Sequence, residues 1–254
     1  MKTLAVLLHM VGGLFTLKRL LRRADRRLMR RRIQLWHRKA LHLFGIERVL
    51  VGELPKGPCL IVANHLSWLD ILVIGSVMQV RFLSKAEVAH WPIVGRLASG
   101  AGTLYVNRGD RRSADRALAD IEAALNAGDQ VVVFPEGTST RGPMPLKFRS
   151  RLIEAACRAG VPVVPLALSY HGPGKSFASY AEDDDFVTHM SRVIQAPFIR
   201  ARLAIGASIA TDVVAAEVAR LAQRDVELML APVVSTGQLT QTAPYAGAIV
   251  TPDH

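Results

Sequence analysis

Two cysteines, Cys59 and Cys157, are too few for a disulfide framework, so a reducing compartment and an ordinary buried core are expected. The eight histidines are scattered and neither cysteine has a ligand-like neighbour, so no metal site is expected. Aromatic residues make up only 6% of the chain, a thin supply for a surface that stacks nucleic-acid bases. Neither a glycine-rich nucleotide loop nor an internal repeat is present. Acidic residues are nearly missing from the first forty positions, where Asp25 stands alone against twelve Lys or Arg. What is present is 254 residues, 50% hydrophobic and 21% charged, ample for one domain with an appendage.

The net charge of +11 lies wholly within those forty residues, and positions 41–254 balance 20 bases against 20 acids. An apolar run from Thr3 to Leu17 leads into a cluster from Lys18 to Arg32. Fifteen residues of helix reach about 22 Å, short of a hydrocarbon core of about 30 Å. The positive charge follows the apolar run instead of preceding it, unlike a cleaved leader. The arm is expected to dip into one leaflet, with its arginines on anionic head groups. A spanning helix that recruits Leu20 and Leu21 is the other arrangement, and its charge bias would keep the domain cytoplasmic. Nucleic acid is not expected as a partner: it leaves the apolar run unexplained, and the neutral remainder has no second basic stripe.

Positions 1–42 therefore read as a membrane-anchoring helical arm and 43–230 as the main domain. Positions 231–254, rich in Thr, Gln, Ala and Pro without a periodic face, read as a disordered tail. Within the main domain, Cys59–Ala63, Thr103–Val106, Val131–Phe134 and Val161–Leu168 read as buried strands. Ser113–Ala127, with Ser113 as N-cap, Arg149–Ala159 and Thr211–Leu230 read as helices. Strands alternating with helices predict an α/β architecture with a mostly parallel central sheet and flanking helices.

Three strand ends carry candidate chemistry. Asn64-His65-Leu66-Ser67-Trp68-Leu69-Asp70 follows the first strand, where α/β folds collect functional groups. An imidazole steadied by a carboxylate suits general-base work, with His65 in the loop and Asp70 in the first turn of a helix capped by Ser67. Ser67-x-x-Asp70 also fits a capping box, in which Asp70 only satisfies a backbone N–H. Arg108 follows a second strand, where a guanidinium can grip a phosphate, but taken alone a plain surface arginine beside Arg111 and Arg112 is the expected reading. Phe134-Pro135-Glu136-Gly137-Thr138 puts a carboxylate, a glycine and a hydroxyl at a third strand end, a turn able to receive an anion.

Taken together, these stretches resemble the glycerolipid acyltransferase family typified by bacterial 1-acylglycerol-3-phosphate acyltransferases. The resemblance covers about 115 residues, from Lys56 to Tyr170. It rests on Asn64-His65-x4-Asp70, on Gly102-x-x-Tyr105-Val106-x-Arg108, on Phe134 to Thr138, and on Val161 to Pro165. Many members follow Glu-Gly-Thr with arginine, where this chain has Ser139 and Thr140 before Arg141. That version, with Lys147-Phe148 downstream and Phe82-Leu83-Ser84-Lys85 upstream, is also similar to the branch that acylates lyso-ornithine lipid.

The resemblance implies transfer of an acyl chain from acyl-CoA or acyl carrier protein, as co-substrate and not cofactor. The acceptor would be the hydroxyl of 1-acylglycerol-3-phosphate, giving phosphatidic acid, or that of lyso-ornithine lipid. His65 would be the base and Asp70 its orienting partner. Asn64, Lys85, Arg108, Glu136, Gly137 and Thr138 would bind substrate. No Ser or Cys nucleophile is required. The setting implied is the cytoplasmic face of the inner membrane. A thioester hydrolase using the same base on water, and a non-catalytic surface adaptor, are the competing readings.

Overall fold

The computed structural model describes residues 2–21, 25–107, 109–180 and 184–231. Arg108 and the tail from 232 onward lie outside the described residues.

The arm forms two helices, α1 (Lys2–Leu21) and α2 (Arg26–Phe44). The lone acid of this region explains where the second begins: Asp25 is the N-cap of α2, and its carboxylate accepts the Leu28 N–H at 2.9 Å. Gly45, at φ 72°, ends α2 in the left-handed conformation, three residues beyond the boundary expected at 42. Helix α1 is longer than the apolar run alone implied. Its 20 residues measure about 30 Å, which by length and composition matches a bilayer core. One side nevertheless packs on the protein through Val6, Gly13 and Leu20. A Cβ at Gly13 would stand 2.6 Å from the Trp36 indole nitrogen, and one at Gly100 would stand 2.2 Å from Leu17, so glycines permit this approach. The other side presents Leu4, Leu7, Leu8 and Phe15 to the surroundings.

The main domain is a seven-stranded sheet of β1 (Ile46–Val51), β2 (Cys59–Ala63), β3 (Arg81–Lys85), β4 (Leu104–Val106), β5 (Gln130–Val133), β6 (Val163–His171) and β7 (Ile199–Ile205). The spatial order is β1-β7-β6-β2-β5-β3-β4, and only the β6–β7 pair is antiparallel. Around it lie α3 (Leu69–Val77), α4 (Val94–Gly100), α5 (Arg111–Asn126), α6 (Glu154–Ala159), α7 (Phe186–Gln195) and α8 (Ala215–Leu230). The α/β architecture with a mostly parallel sheet is therefore as expected.

Strand β2 is apolar throughout because both of its faces are covered. Ile61 and Ala63 join a core with Leu41, Phe44, Leu69 and Val73 from α2 and α3. Leu60 and Val62 point the other way, to Leu118 and Ile121 of α5, Ala155 of α6 and Val226 of α8. Helices thus cover both faces, and the carboxyl ends of the parallel strands β2 to β6 share one edge.

Several boundaries differ from expectation for identifiable reasons. Ser113 is not the cap of α5; Asp110 is, accepting the Arg112 N–H at 2.9 Å, while the Ser113 hydroxyl accepts from the Asn107 N–H. The helix foreseen from Arg149 starts only at Glu154, and the Arg149 N–H instead ties the chain to the Pro135 carbonyl at 3.0 Å. Phe134 leaves the sheet to begin a turn, and β6 starts two residues after Val161 but continues to His171. Helix α8 begins at Ala215, not Thr211.

Candidate active site

The loop after β2 is fixed from behind before any side chain reaches solvent. Asn64 is buried, and its amide donates to the Leu168 carbonyl at 2.9 Å and accepts the Leu168 N–H at 2.7 Å, locking the end of β2 to β6. The next residue, His65, is then turned outward. Its N–H donates to Glu136 Oε1 at 2.7 Å, and its carbonyl accepts the Thr140 N–H at 2.9 Å. The Leu66 carbonyl accepts the Tyr180 N–H at 2.9 Å. Two neighbouring loops therefore hold the His65 segment by its backbone.

Asp70, fully buried in the first turn of α3, serves both purposes that its spacing allowed. Oδ2 accepts the Leu66 and Ser67 N–H groups at 2.7 and 3.0 Å and also accepts His65 Nδ1–H at 2.8 Å, while the N-cap of α3 is Trp68, not the expected Ser67, and makes no side-chain cap. Oδ1 accepts the Tyr170 hydroxyl at 2.7 Å. Burial, followed by the Asp70 charge, pushes the Tyr170 phenol well above its usual range, so it remains a donor. With a proton held on Nδ1, Nε2 is left as the basic nitrogen, and no described residue hydrogen-bonds it. The imidazole also stacks on the Phe134 ring, with centroids 4.0 Å apart and planes 18° apart.

Glu136 faces inward. Oε1 takes the His65 N–H and Oε2 the Leu146 N–H at 2.8 Å, so the carboxylate braces two loops instead of facing substrate. Burial raises its pKa, against the lowering effect of those two hydrogen bonds. Asn64 and Glu136, expected among substrate contacts, are thus both engaged with backbone behind the site. Thr138 is half-buried, with its hydroxyl 3.4 Å from the Ser139 carbonyl.

A cleft of about 560 Å³ opens in front of His65. Its polar part includes Lys85, Asn107, Ser139 and Arg149, with Gly137 at the wall. Its long apolar part is bounded by Leu17 and Leu20 of α1, Trp36 of α2, and Val94, Leu97 and Ala98 of α4. Among the expected site residues, His65, Lys85 and Gly137 border the cleft, while Asn64, Asp70 and Glu136 lie behind it. Arg108 is outside the described residues, although its neighbours Asn107 and Gly109 line the cleft. Among the described residues no group of three His, Cys, Asp or Glu side chains could hold a metal ion.

Sequence reasoning missed Tyr170, Arg149 and the share of the cleft walled by the arm. The signal for Tyr170 was present: side chains alternate along a strand, so Leu166, Leu168 and Tyr170 share the face that meets α3.

Residues 45–169 match the family model described as Acyltransferase. Over 196 residues the chain is 40% identical to the lyso-ornithine lipid O-acyltransferase of Pseudomonas aeruginosa, covering 75% of this chain and 74% of that one. It is 35% identical to the protein of the same name from Rhizobium meliloti over 213 residues, 77% of this chain and 73% of that one. A 1-acyl-sn-glycerol-3-phosphate acyltransferase from Neisseria gonorrhoeae is 37% identical over 133 residues, 51% of this chain and 52% of its own. The fold is shared with the crystal structure of the 1-acyl-sn-glycerophosphate acyltransferase PlsC from Thermotoga maritima. The TM-score is 0.60 at 20% identity, with 91% of this chain and 99% of that chain covered. Likeness sustained over three quarters of both sequences, with the family model laid across the strands that carry His65, Lys85 and Glu136, makes this chain a member of the acyltransferase family.

Proposed function

We propose that the chain transfers an acyl group from a thioester, acyl-CoA or acyl carrier protein, to the free hydroxyl of a lysolipid at a membrane surface. The observation that carries this reading is His65, on the cleft, with Nδ1 bound to the buried Asp70 carboxylate. Nε2 takes the hydroxyl proton as the oxygen attacks the thioester carbonyl, and Asp70 stabilises the imidazolium that forms. Collapse of the tetrahedral intermediate expels the thiolate, which takes the proton from His65. The hydroxyl is a weak acid, so holding it beside a fixed imidazole is much of the catalysis.

The apolar length of the cleft suits an acyl chain, and Lys85 and Arg108 are proposed to act on its polar side with Gly137 at the wall. Thr138, half-buried behind that wall, acts by shaping the turn. The outward side of α1 enters one leaflet while its inner side stays on the domain, with exposed arm arginines such as Arg27 and Arg31 at anionic lipid, whereas Arg30 pairs with Asp129. The domain then sits at the cytoplasmic face of the inner membrane, with neither cofactor nor nucleic acid involved.

For the acceptor, the longer shared stretches with lyso-ornithine lipid acyltransferases favour lyso-ornithine lipid. Lysophosphatidate is the second reading, supported by the Neisseria relative and by the four motifs. The test is an acceptor panel on vesicles, each acceptor with each donor, using wild type and His65→Ala. Labelled acyl chains should appear on one lysolipid with wild type only. Release as free fatty acid, or near-normal transfer by a folded His65→Ala protein, would refute the reading.

A further inference from the structure

Arg149 is a cation that the reaction scheme leaves without a task. Its N–H is bound to the Pro135 carbonyl at 3.0 Å, which ties the residue to the turn after β5. Pro135 directly follows Phe134, the ring on which His65 stacks. The Arg149 side chain folds back over Gly137: a Cβ there would stand 3.4 Å from both Cζ and Nη1 of the guanidinium. Gly137 has φ 78°, so the turn itself favours glycine, and the guanidinium lies in van der Waals contact with it.

Other arginines of the same segment are already engaged. Arg141 pairs with Asp184 at 2.8 Å, and Arg151 with Asp115 at 2.5 Å. Arg149 has no carboxylate partner among the described residues, is exposed, and borders the cleft that His65 also borders. A guanidinium presents paired N–H groups in a plane, matching the two oxygens of a carboxylate or two of a phosphate monoester.

We infer that Arg149 holds the anionic group of the acceptor lipid in a bidentate grip and so sets the position of its hydroxyl relative to His65. The inference rests on the acyl-transfer reading and deepens it. The anion is the carboxylate of an ornithine head group or the phosphate of lysophosphatidate, and the two arms of the test separate these sources.

Kinetics are measured in mixed micelles, varying acceptor and donor separately, for wild type, Arg149→Ala and Arg149→Lys. Whichever acceptor wild type uses, Arg149→Ala should raise its KM about 10- to 100-fold, the usual effect of losing a charge-assisted pair. Turnover at saturating acceptor should fall as well, because the hydroxyl is no longer held beside His65, and donor KM should not move. Arg149→Lys should recover part of the loss, since a point charge replaces the fork. Inorganic phosphate should compete with the acceptor for wild type and lose that effect in Arg149→Ala. An unchanged acceptor KM, or a rise confined to donor KM, overturns the assignment while leaving acyl transfer intact. Wild type that acylates neither lysolipid removes the acyl-transfer reading and the assignment with it.

Discussion

Asp70→Asn separates the charge of this carboxylate from its architecture. Alanine at this position would strand four donors, His65 Nδ1–H, Leu66 N–H, Ser67 N–H and the Tyr170 hydroxyl, at about 1–3 kcal/mol each. Asparagine keeps an oxygen where Oδ2 stands and places its NH2 toward Tyr170, whose hydroxyl can rotate to accept. The loop therefore survives, and the expected stability loss is only about 1–2 kcal/mol, or roughly 3–8 °C in Tm. What disappears is the negative charge facing the imidazolium at 2.8 Å. Unit charges about 4 Å apart interact by about 4 kcal/mol at an effective dielectric near 20. A loss of about 3–4 kcal/mol in the transition state lowers turnover about 10²- to 10³-fold. The assay is initial-rate acyl transfer on lysolipid vesicles, with thermal melting of the same preparations. Turnover within about threefold of wild type in a folded Asp70→Asn protein would show that His65 needs no anionic partner, and the base assignment would fall with it.

Three further outcomes are expected. Tyr170→Phe leaves buried Oδ1 of Asp70 without its donor; melting should show about 2 kcal/mol of destabilisation and turnover about a tenfold drop, and a protein as stable as wild type refutes this. His37 is buried with Nδ1 unpartnered, and burial lowers its pKa to about 4 from 6.5. The unfolded chain therefore binds more protons between pH 6.5 and 4, and stability falls as pH falls through that window, by about 2–3 kcal/mol at pH 4.5. Urea midpoints at pH 7 and 4.5 should converge for His37→Leu relative to wild type, and parallel losses in both proteins exclude this histidine as the cause. On the surface of α1, Leu8→Asp with Phe15→Asp should reduce co-sedimentation with anionic vesicles at least tenfold, and salt should weaken wild-type binding; unchanged binding would mean α1 does not enter lipid.

The strands legible in the sequence were those buried on both faces, such as Cys59–Ala63 and Val131–Val133, where no polar residue interrupts. Strands β1 and β7 were not legible because Glu47, Arg48, Arg200 and Arg202 dilute their apolar pattern near the sheet's end. They pair with each other across 153 positions of sequence, and β7 is held further by β6 and by Ile199, Ala201 and Leu203 in the core, relations that no local pattern reveals. At the site, residue types were readable but directions were not. Asn64 and Glu136 have the chemistry of substrate ligands, yet both are turned inward because the loop's backbone groups must be satisfied once buried. For Asp70 the choice between satisfying backbone N–H groups and catalysis was false, since one carboxylate has enough lone pairs for both.

Helix α1 has one side on the apolar part of the cleft and the other turned to the surroundings. Leu17 faces inward and Phe15 outward, two positions apart on the same turn. A helix with its side chains is about 10–12 Å across. A fatty chain moving from a leaflet into the protein would therefore shift sideways by only about that distance. So short a shift would spare most of the long tail from water, ordinarily the steepest obstacle in handling such molecules.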